Sequence, residues 1–207
     1  MSAWIGLAFD ERTWIIPVPI ICARLDQRSR NGLRMADTEA LLTILSQCGW
    51  HVERRLQAED LLPCELLSRY PRLPTDLERF LAGLQLCRNS DDTVWFLTRE
   101  SFHPTTKDYF RWNESELMSL EALDGDDDEM NLVRAYWDCH FPFLFAVHSD
   151  YDYLAVDLSP ETFGRIVHGY MPEPEQSSQV AQSFDEFVEM FIKSLRGKAE
   201  YPLSLFL

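Results

Sequence analysis

The sequence predicts an α+β domain in which helices pack against a mainly antiparallel β-sheet. Two segments, 75–84 and 183–197, have a helix-capping motif followed by an apolar helical face. Between them, apolar runs at 141–148, 151–159 and 165–170 are separated only by short turns, which is typical of an antiparallel meander. A chain of 207 residues, 46% of them hydrophobic, can bury a core of this kind as one domain.

The N-terminal residues 1–60 are expected to form a βα extension packed on the main domain, which would span 61–207. Residues 3–25 have the β-branched and aromatic side chains of an extended segment. A polar loop at 24–34 is expected next, and then a helix from Asp37 or Thr38 to about Gly49. No Ser/Gly-rich linker follows this segment, so we expect it to contact the rest of the chain.

The two strongest helix predictions depend on capping boxes. Thr75 is the expected N-cap of the first helix, with Glu78 three residues later, and Ser183 and Glu186 repeat this spacing in the second. Gly197 is expected to end the second helix. The apolar faces consist of Leu77, Phe80, Leu81 and Leu84 in the first helix and Phe184, Phe187, Val188 and Phe191 in the second.

The middle of the chain contains further helices and a strand that weaker sequence signals predict. Residues 59–67 are a short helical candidate interrupted by a proline, and a strand is expected around Trp95. Two further helices are expected at 113–123 and 126–138, divided by Asp124-Gly125. Together they would form a helical, acidic insert at about 113–140 within the main domain.

The charge of the chain excludes some classes of partner. It has 34 acidic and 19 Lys or Arg residues, a formal net charge of −15. Residues 113–129 contain eight carboxylates and no basic side chain. A protein that binds nucleic acid or an anionic membrane directly needs a basic face. The sequence therefore predicts neither of those partners, and favours a basic protein.

Cysteine usage and the N-terminus indicate the compartment. The five cysteines are scattered without a CxxC pair, which favours reduced thiols over a disulfide framework or a zinc site. The N-terminus has no basic segment before its apolar residues, and no apolar run approaches the length of a membrane span. We therefore expect a cytoplasmic protein.

The acidic run DGDDDE at 124–129 resembles the start of a calcium-binding loop, but the rest of that motif is missing. Such a loop needs glycine at its sixth position and glutamate at its twelfth, where this chain has Glu129 and Ala135. Carboxylates at the start of a helix are favoured instead, because they interact well with the helix dipole.

Other candidates for catalysis or metal binding are equally weak. Cys139 and His140 are adjacent, and adjacent residues rarely face each other as a nucleophile and its base. The remaining histidines lack the spacing of metal ligands, and the chain has no phosphate-binding glycine loop or dinucleotide fingerprint. No cofactor and no metal are therefore expected. The histidines concerned are His51, His103, His148 and His168.

The stretch HSDYDYLAVDLS contains the most suggestive carboxylates of the chain. Strand alternation places Tyr151, Tyr153 and Asp157 on one face of the strand, and Asp152 on the other with Leu154, Val156 and Leu158, which is expected to face the core. Asp150 would lie in the hairpin turn. Acid–base catalysis needs two carboxylates that converge on one cleft, and this pattern separates them. An exposed Tyr/Asp turn is the functional interpretation that remains.

Taken in order, these segments resemble the SUKH superfamily, the Smi/Knr-type proteins. The resemblance covers roughly 60–196 and depends on the LPTDLERFL helix at 73–81, the strand with Trp95, the segment from Asp150 to Ser159, the GRIVHGY strand at 164–170 and SFDEFV at 183–188. The chain departs from the family pattern in lacking a Gly-Gly pair after the first helix and glycines in the hairpin turn. A divergent member of the superfamily is the interpretation we adopt.

The resemblance implies an α+β fold without catalytic residues that binds other proteins. Its bacterial members resemble immunity proteins that neutralise toxins, often nucleases, and its fungal members resemble adaptors in cell-wall regulation. The hypothesis is an immunity protein that binds a cognate toxin or other basic protein; an intracellular adaptor is the alternative, and a divalent-metal-dependent enzyme a third and weaker one. The expected partner contacts are Asp126, Asp127, Asp128, Asp150, Tyr151 and Asp152.

Overall fold

The computed structural model describes residues 27–57, 59–103, 110–123, 125–148, 151–173 and 176–207, with side chains from Asp37 onward. Within these ranges the chain folds into seven α-helices and one seven-stranded antiparallel sheet, which confirms the predicted α+β class. The helices are α1 Gln27–Gln47, α2 Cys64–Leu67, α3 Thr75–Ala82, α4 Arg99–Phe102, α5 Glu114–Ala122, α6 Asp127–Cys139 and α7 Phe184–Lys193. The strands are β1 His51–Arg54, β2 Leu84–Arg88, β3 Val94–Phe96, β4 His140–Val147, β5 Tyr151–Asp157, β6 Ile166–Tyr170 and β7 Ser178–Ala181.

The sheet is a complete meander, because its strand order β1-β2-β3-β4-β5-β6-β7 is the order along the chain. The predicted hairpin of β4 and β5 is present, with Val147 opposite Tyr151. β6 then pairs with β5, so that Gly169 lies opposite Tyr153. The strands β1, β2 and β7, which form or adjoin the two edges, were not predicted.

Helices cover both faces of the sheet. On one face, Trp137 of α6 lies 4.9 Å from Tyr153, measured between ring centroids. On the other, Phe143 of β4 lies 5.4 Å from Phe187 of α7. Tyr153 and Ala155 are fully buried, so the expectation that only the opposite face of β5 is core is wrong. The insert supplies the second layer, which strand alternation alone does not reveal.

Three local predictions need correction. The backbone is helical from Gln27, where a polar loop was predicted, because Gln, Arg, Leu and Met at 27–35 are good helix formers and outweigh the Asn31-Gly32 turn signal. Thr75 is the first residue of α3 and Pro74 its N-cap, without a side-chain cap hydrogen bond. The helical candidate at 59–67 is reduced to α2, which begins after Pro63.

Ser183 is the N-cap of α7 as predicted, but only half of the capping box forms, because the Glu186 carboxylate accepts from Gln182 and not from the Ser183 backbone N–H. The Glu186 backbone N–H donates to Ser183 Oγ at 3.2 Å, and the Glu186 carboxylate accepts from the backbone N–H of Gln182 at 2.6 Å. Gly197 has a φ of +87°, the left-handed conformation that ends a helix, as predicted. The predicted extended segment at 3–25 lies outside the described residues. The proposed boundary at residue 60 stays a prediction.

Asp157 ends β5 and organises the turn that leads to β6. Its carboxylate accepts a hydrogen bond from the Ser159 backbone N–H at 2.8 Å and another from the Thr162 hydroxyl. Burial alone would raise the pKa of Asp157, but these hydrogen bonds outweigh it and hold the pKa below its usual value. The ionised carboxylate therefore stabilises the turn.

Replacing Asp157 with Asn should lower the free energy of unfolding by about 1–2 kcal/mol at pH 7, as expected for hydrogen bonds to a charged group. A carboxyl whose pKa is depressed by folding contributes stability above its unfolded pKa, about 3.9. That contribution is lost as the pH falls through the folded pKa. Urea unfolding at several pH values between 7 and 3 should therefore show the two proteins converging in acid.

The matched control is Asp91→Asn, which changes an exposed carboxylate in the β2–β3 turn. This variant should differ from the wild-type protein by less than about 0.5 kcal/mol throughout. A cost for Asp157→Asn that stays constant down to pH 3 would contradict the assignment of its stabilising effect to the ionised carboxylate.

Candidate partner-binding surface

The predicted acidic insert forms two helices, α5 and α6, joined by a short connection. Asp126 is the N-cap of α6, and its carboxylate accepts hydrogen bonds from the backbone N–H groups of Asp128 at 3.1 Å and Glu129 at 3.2 Å. Asp127, Asp128 and Glu129 fill the first turn, where negative charge is stabilised by the helix dipole. The interpretation of this run as helix-start carboxylates is confirmed.

Arg69 attaches the insert to the body of the domain. Its guanidinium donates two hydrogen bonds to the Glu116 carboxylate of α5, at 2.7 and 2.9 Å, and Arg69 Nε lies 2.8 Å from Asp138 Oδ1 of α6. The guanidinium carbon also lies 5.3 Å from the ring centroid of Trp112. Burial alone would lower the pKa of Arg69, but the hydrogen bonds and charges of its partners raise it well above its usual value. Arg69 therefore stays charged between the two helices.

A second attachment is buried beneath the first. The Tyr70 hydroxyl donates to the backbone carbonyl of Trp137 at 2.8 Å, and both side chains are almost completely buried. Burial is the main reason why the pKa of Tyr70 lies well above its usual value. A neutral phenol thus connects α6 to the segment before α3, which fixes the position of the helix over the sheet.

Hydrogen bonds place the end of α5 and the β4–β5 hairpin at the same end of the molecule. Ser119, one turn before the end of α5, donates through Oγ to the backbone carbonyl of Pro172 at 3.1 Å. The neighbouring Met171 donates its backbone N–H to the carbonyl of Tyr151, the first residue of β5, at 3.0 Å. The last turn of α5 therefore lies near the start of β5.

We call the exposed carboxylates at this end the acidic tip. Its members are exposed, and among the described residues none has a Lys, Arg or His nitrogen within 4.0 Å of its carboxylate. Two apolar side chains accompany it: Leu132 on α6, which is 70% exposed, and Tyr151, which is 44% exposed. The tip combines uncompensated negative charge with accessible apolar surface. It consists of Glu121, Asp126, Asp127, Asp128 and Glu129.

The predicted contact residues do not all reach this surface. Asp126, Asp127 and Asp128 are exposed in the acidic tip, and Tyr151 lies beside it. Asp150 lies outside the described residues. Asp152 is only 9% exposed, and its carboxylate is 2.7 Å from Nε2 of the buried His168. We leave Asp152 out of the proposed surface, because its side chain contacts the interior.

Two residues of this region were not identified by the analysis of the sequence. Leu132 lies off the stripe formed by Val133 and Trp137, the two buried residues of α6, and this spacing is the signal that marks it as exposed. Arg69 had no such signal, because its partners are 47 and 69 residues later in the chain.

Cys139 and His140 were considered as a nucleophile and its base, and the His140 ring is engaged in packing. Its ring stacks on Tyr136 with 3.9 Å between centroids, and its Nδ1 lies 2.9 Å from the Tyr136 carbonyl. Burial lowers the pKa of His140.

A different cysteine, Cys87 of β2, is also buried, and burial raises the pKa of its thiol to about 12. These groups are held as neutral parts of the packing.

The described cysteines Cys48, Cys64, Cys87 and Cys139 are free thiols. In the part of the chain that the structure describes, no group of three or more His, Cys, Asp or Glu side chains is arranged to hold a metal ion. Of the helices described, none combines the length and apolarity required to cross a membrane.

Comparison with known proteins identifies one family that the chain matches. The model of a family described as SMI1 / KNR4 family (SUKH-1) matches residues 56–190, about two thirds of the chain. The matched segment contains the strands from β2 to β7, the acidic tip and most of α7, and excludes α1 and β1. No curated protein and no solved structure matches the chain.

Proposed function

The chain belongs to the SMI1/KNR4 family (SUKH-1), and on that premise we propose that it is a non-enzymatic immunity protein of the bacterial cytoplasm. In this proposal it neutralises a cognate toxin by covering the basic surface of that toxin with the acidic tip. The proposed partner is a protein, and the negative charge of the chain argues against nucleic acid as a direct ligand.

The observation that carries this proposal is the uncompensated charge of the acidic tip. Several arginines elsewhere in the described chain form ion pairs with carboxylates, among them Arg54 with Glu39, Arg55 with Glu100 and Arg69 with Glu116. The five carboxylates of the tip have no such partner among the described residues. Like charges held together on one surface repel each other, so this arrangement is relieved when a basic partner binds.

A nuclease toxin fits this chemistry. An enzyme that holds nucleic acid must present Lys and Arg side chains to the phosphates, and the same side chains would attract the tip. Long-range attraction of this kind accelerates association and weakens with salt. Tyr151 and Leu132 would supply the apolar contacts that slow dissociation.

The experiment expresses the product of the neighbouring reading frame in a bacterial host, with and without this chain. Co-expression should restore growth, and the two proteins should purify as a stoichiometric complex. The informative variant is Asp127→Lys with Asp128→Lys, which leaves the helix cap Asp126 in place. Stopped-flow association should slow by about tenfold or more in this variant at low salt.

Glu161→Lys is the matched control, because Glu161 is exposed in the turn after β5, at the opposite end of the sheet. It should leave the association rate within about twofold of the wild-type value. Equal association rates for the tip variant and the control would overturn the role of the tip. A harmless neighbouring product that still binds through the tip would overturn the immunity role and support the adaptor alternative.

A further inference from the structure

A second surface, chemically opposite to the acidic tip, lies at the β7 edge of the sheet. Here β7, the end of α7 and the segment that follows it enclose a cleft of about 320 Å³. We call this cleft the basic groove. Its lining includes Gln179, Val180, Met190, Lys193, Lys198 and Tyr201.

The lysines of the groove are unusual in this acidic chain. The sequence has only three lysines, and two of them, Lys193 and Lys198, line this one cleft. Both are exposed, and no carboxylate of the described residues lies within 4.0 Å of either. Glu200 also lines the groove, which leaves one net positive charge among these three side chains.

Helix electrostatics accounts for only part of this arrangement. Lys193 is in the last turn of α7, where a cation interacts favourably with the helix dipole. Lys198 follows Gly197, beyond the end of the helix, and still reaches the same cleft. The dipole therefore explains the first lysine and not the second.

The rest of the lining is suited to an extended peptide. The floor includes Val180 and Met190, which pack against the core while remaining partly accessible. The Tyr201 side chain is 72% exposed, an amphipathic aromatic of the kind enriched at protein interfaces. Among the described residues β7 pairs with β6 alone, so its outer edge is open to a further strand.

We propose that the basic groove binds an extended, acidic segment of a protein partner, which adds to the sheet as a strand beside β7. Backbone hydrogen bonds to the edge strand would supply affinity. The carboxylates of the segment would pair with Lys193 and Lys198, and its alternate apolar side chains would contact Val180, Met190 and Tyr201. This site is independent of the acidic tip and attracts a partner of the opposite charge.

The test uses a fluorescein-labelled heptapeptide in which Glu and Val alternate, with fluorescence anisotropy as the readout and the full chain as the binder. A short strand should bind with a dissociation constant on the order of 100 μM at 50 mM salt, as expected for a small interface. Raising the salt to 300 mM should weaken binding about fivefold. A peptide of the same length with Gln in place of Glu should bind at least about tenfold more weakly.

Three further comparisons test the charge of the groove and the addition of a strand. The charge-reversal pair Lys193→Glu with Lys198→Glu should weaken binding by about tenfold or more, which corresponds to about 1.4 kcal/mol. Arg134→Glu on α6 should leave binding unchanged, because Arg134 is exposed on the helix that covers the other face of the sheet. A backbone N-methylated Glu/Val peptide should lose binding, since it cannot donate to the edge strand.

Because both lysines are exposed and only Lys193 interacts with the helix dipole, their variants should melt within about 4 °C of the wild-type protein and stay folded at 25 °C, so the anisotropy reports binding alone. Absence of binding at 1 mM peptide would overturn the proposal, and so would equal binding of the Gln peptide. Retained affinity in the Lys193→Glu/Lys198→Glu protein would do the same. Undiminished binding of the N-methylated peptide would overturn the strand-addition geometry.

Discussion

Gly169→Ala should lower the free energy of unfolding by about 3 kcal/mol, the upper range for overfilling a packed site. A Cβ at position 169 would lie 2.2 Å from the Tyr153 hydroxyl oxygen and 2.5 Å from its Cζ. The ring cannot move away easily, because Tyr153 is fully buried and packs against Trp137. For a chain of this size the melting temperature should fall by roughly 10 °C, measurable by circular dichroism.

A double-mutant cycle tests the cause. In the Tyr153→Leu background the obstructing ring atoms are gone, so Gly169→Ala should cost less than about 1 kcal/mol there. Gly125→Ala provides a contrasting variant, because Gly125 has a φ of +87° and no atom within 4 Å of an added Cβ. Its cost should stay near about 1 kcal/mol and should not depend on residue 153. A cost for Gly169→Ala that is the same in both backgrounds would contradict the steric explanation.

Arg69→Ala should lower the free energy of unfolding by about 3 kcal/mol, the range measured when one partner of a buried ion pair is removed. The Glu116 carboxylate is 7% exposed and would lose both hydrogen bonds from the guanidinium. Stacking on Trp112 would be lost as well. Urea unfolding followed by tryptophan fluorescence measures this change.

Two further variants show how much of this stability comes from the Arg69–Glu116 pair and how much from Asp138. Arg69→Met with Glu116→Leu replaces both partners by apolar side chains and should recover most of the lost stability. Asp138→Asn removes the third member, whose side chain is 60% exposed, and should cost less than about 0.5 kcal/mol. If Arg69→Ala proved no more costly than Asp138→Asn, Arg69 would not be the residue that anchors the insert.

Sequence reasoning succeeded where several local signals agreed. The apolar alternation and short turns of β4, β5 and β6 predicted a meander, and the Ser183 capping box predicted the start of α7. It failed at β1 and β7, whose sequences HVER and SQVA are polar because edge strands contact solvent. Their pairing depends on the neighbouring strand, which no local pattern reports.

The two glycines of the GRIVHGY segment show a second limit of prediction from the sequence. Gly164 has a φ of +93°, so its backbone conformation accounts for the residue. Gly169 lies within β6 and is not among the glycines of positive φ, so the space taken by Tyr153 accounts for it instead. That requirement appears only when β5 and β6 are placed in register.

The candidate surface, too, was predicted from the sequence only in part. Helix-start preferences correctly placed Asp126, Asp127 and Asp128 in solvent at the start of α6. Strand alternation placed Asp152 on the core face, but its partner His168 could not be predicted, because it is 16 residues away on the neighbouring strand. Local composition therefore predicted the charge of the surface, and tertiary contacts decided which carboxylates belong to it.

The strand order has a consequence for how the chain acquires its structure during synthesis. Each strand pairs with the one made immediately before it, so no strand has to wait for a later one, although the β1–β2 and β3–β4 connections are long because they contain helices α2–α3 and α4–α6. The sheet can thus grow strand by strand as the polypeptide leaves the ribosome. The packing of α1 against α7 joins opposite ends of the sequence and must wait until translation is nearly complete.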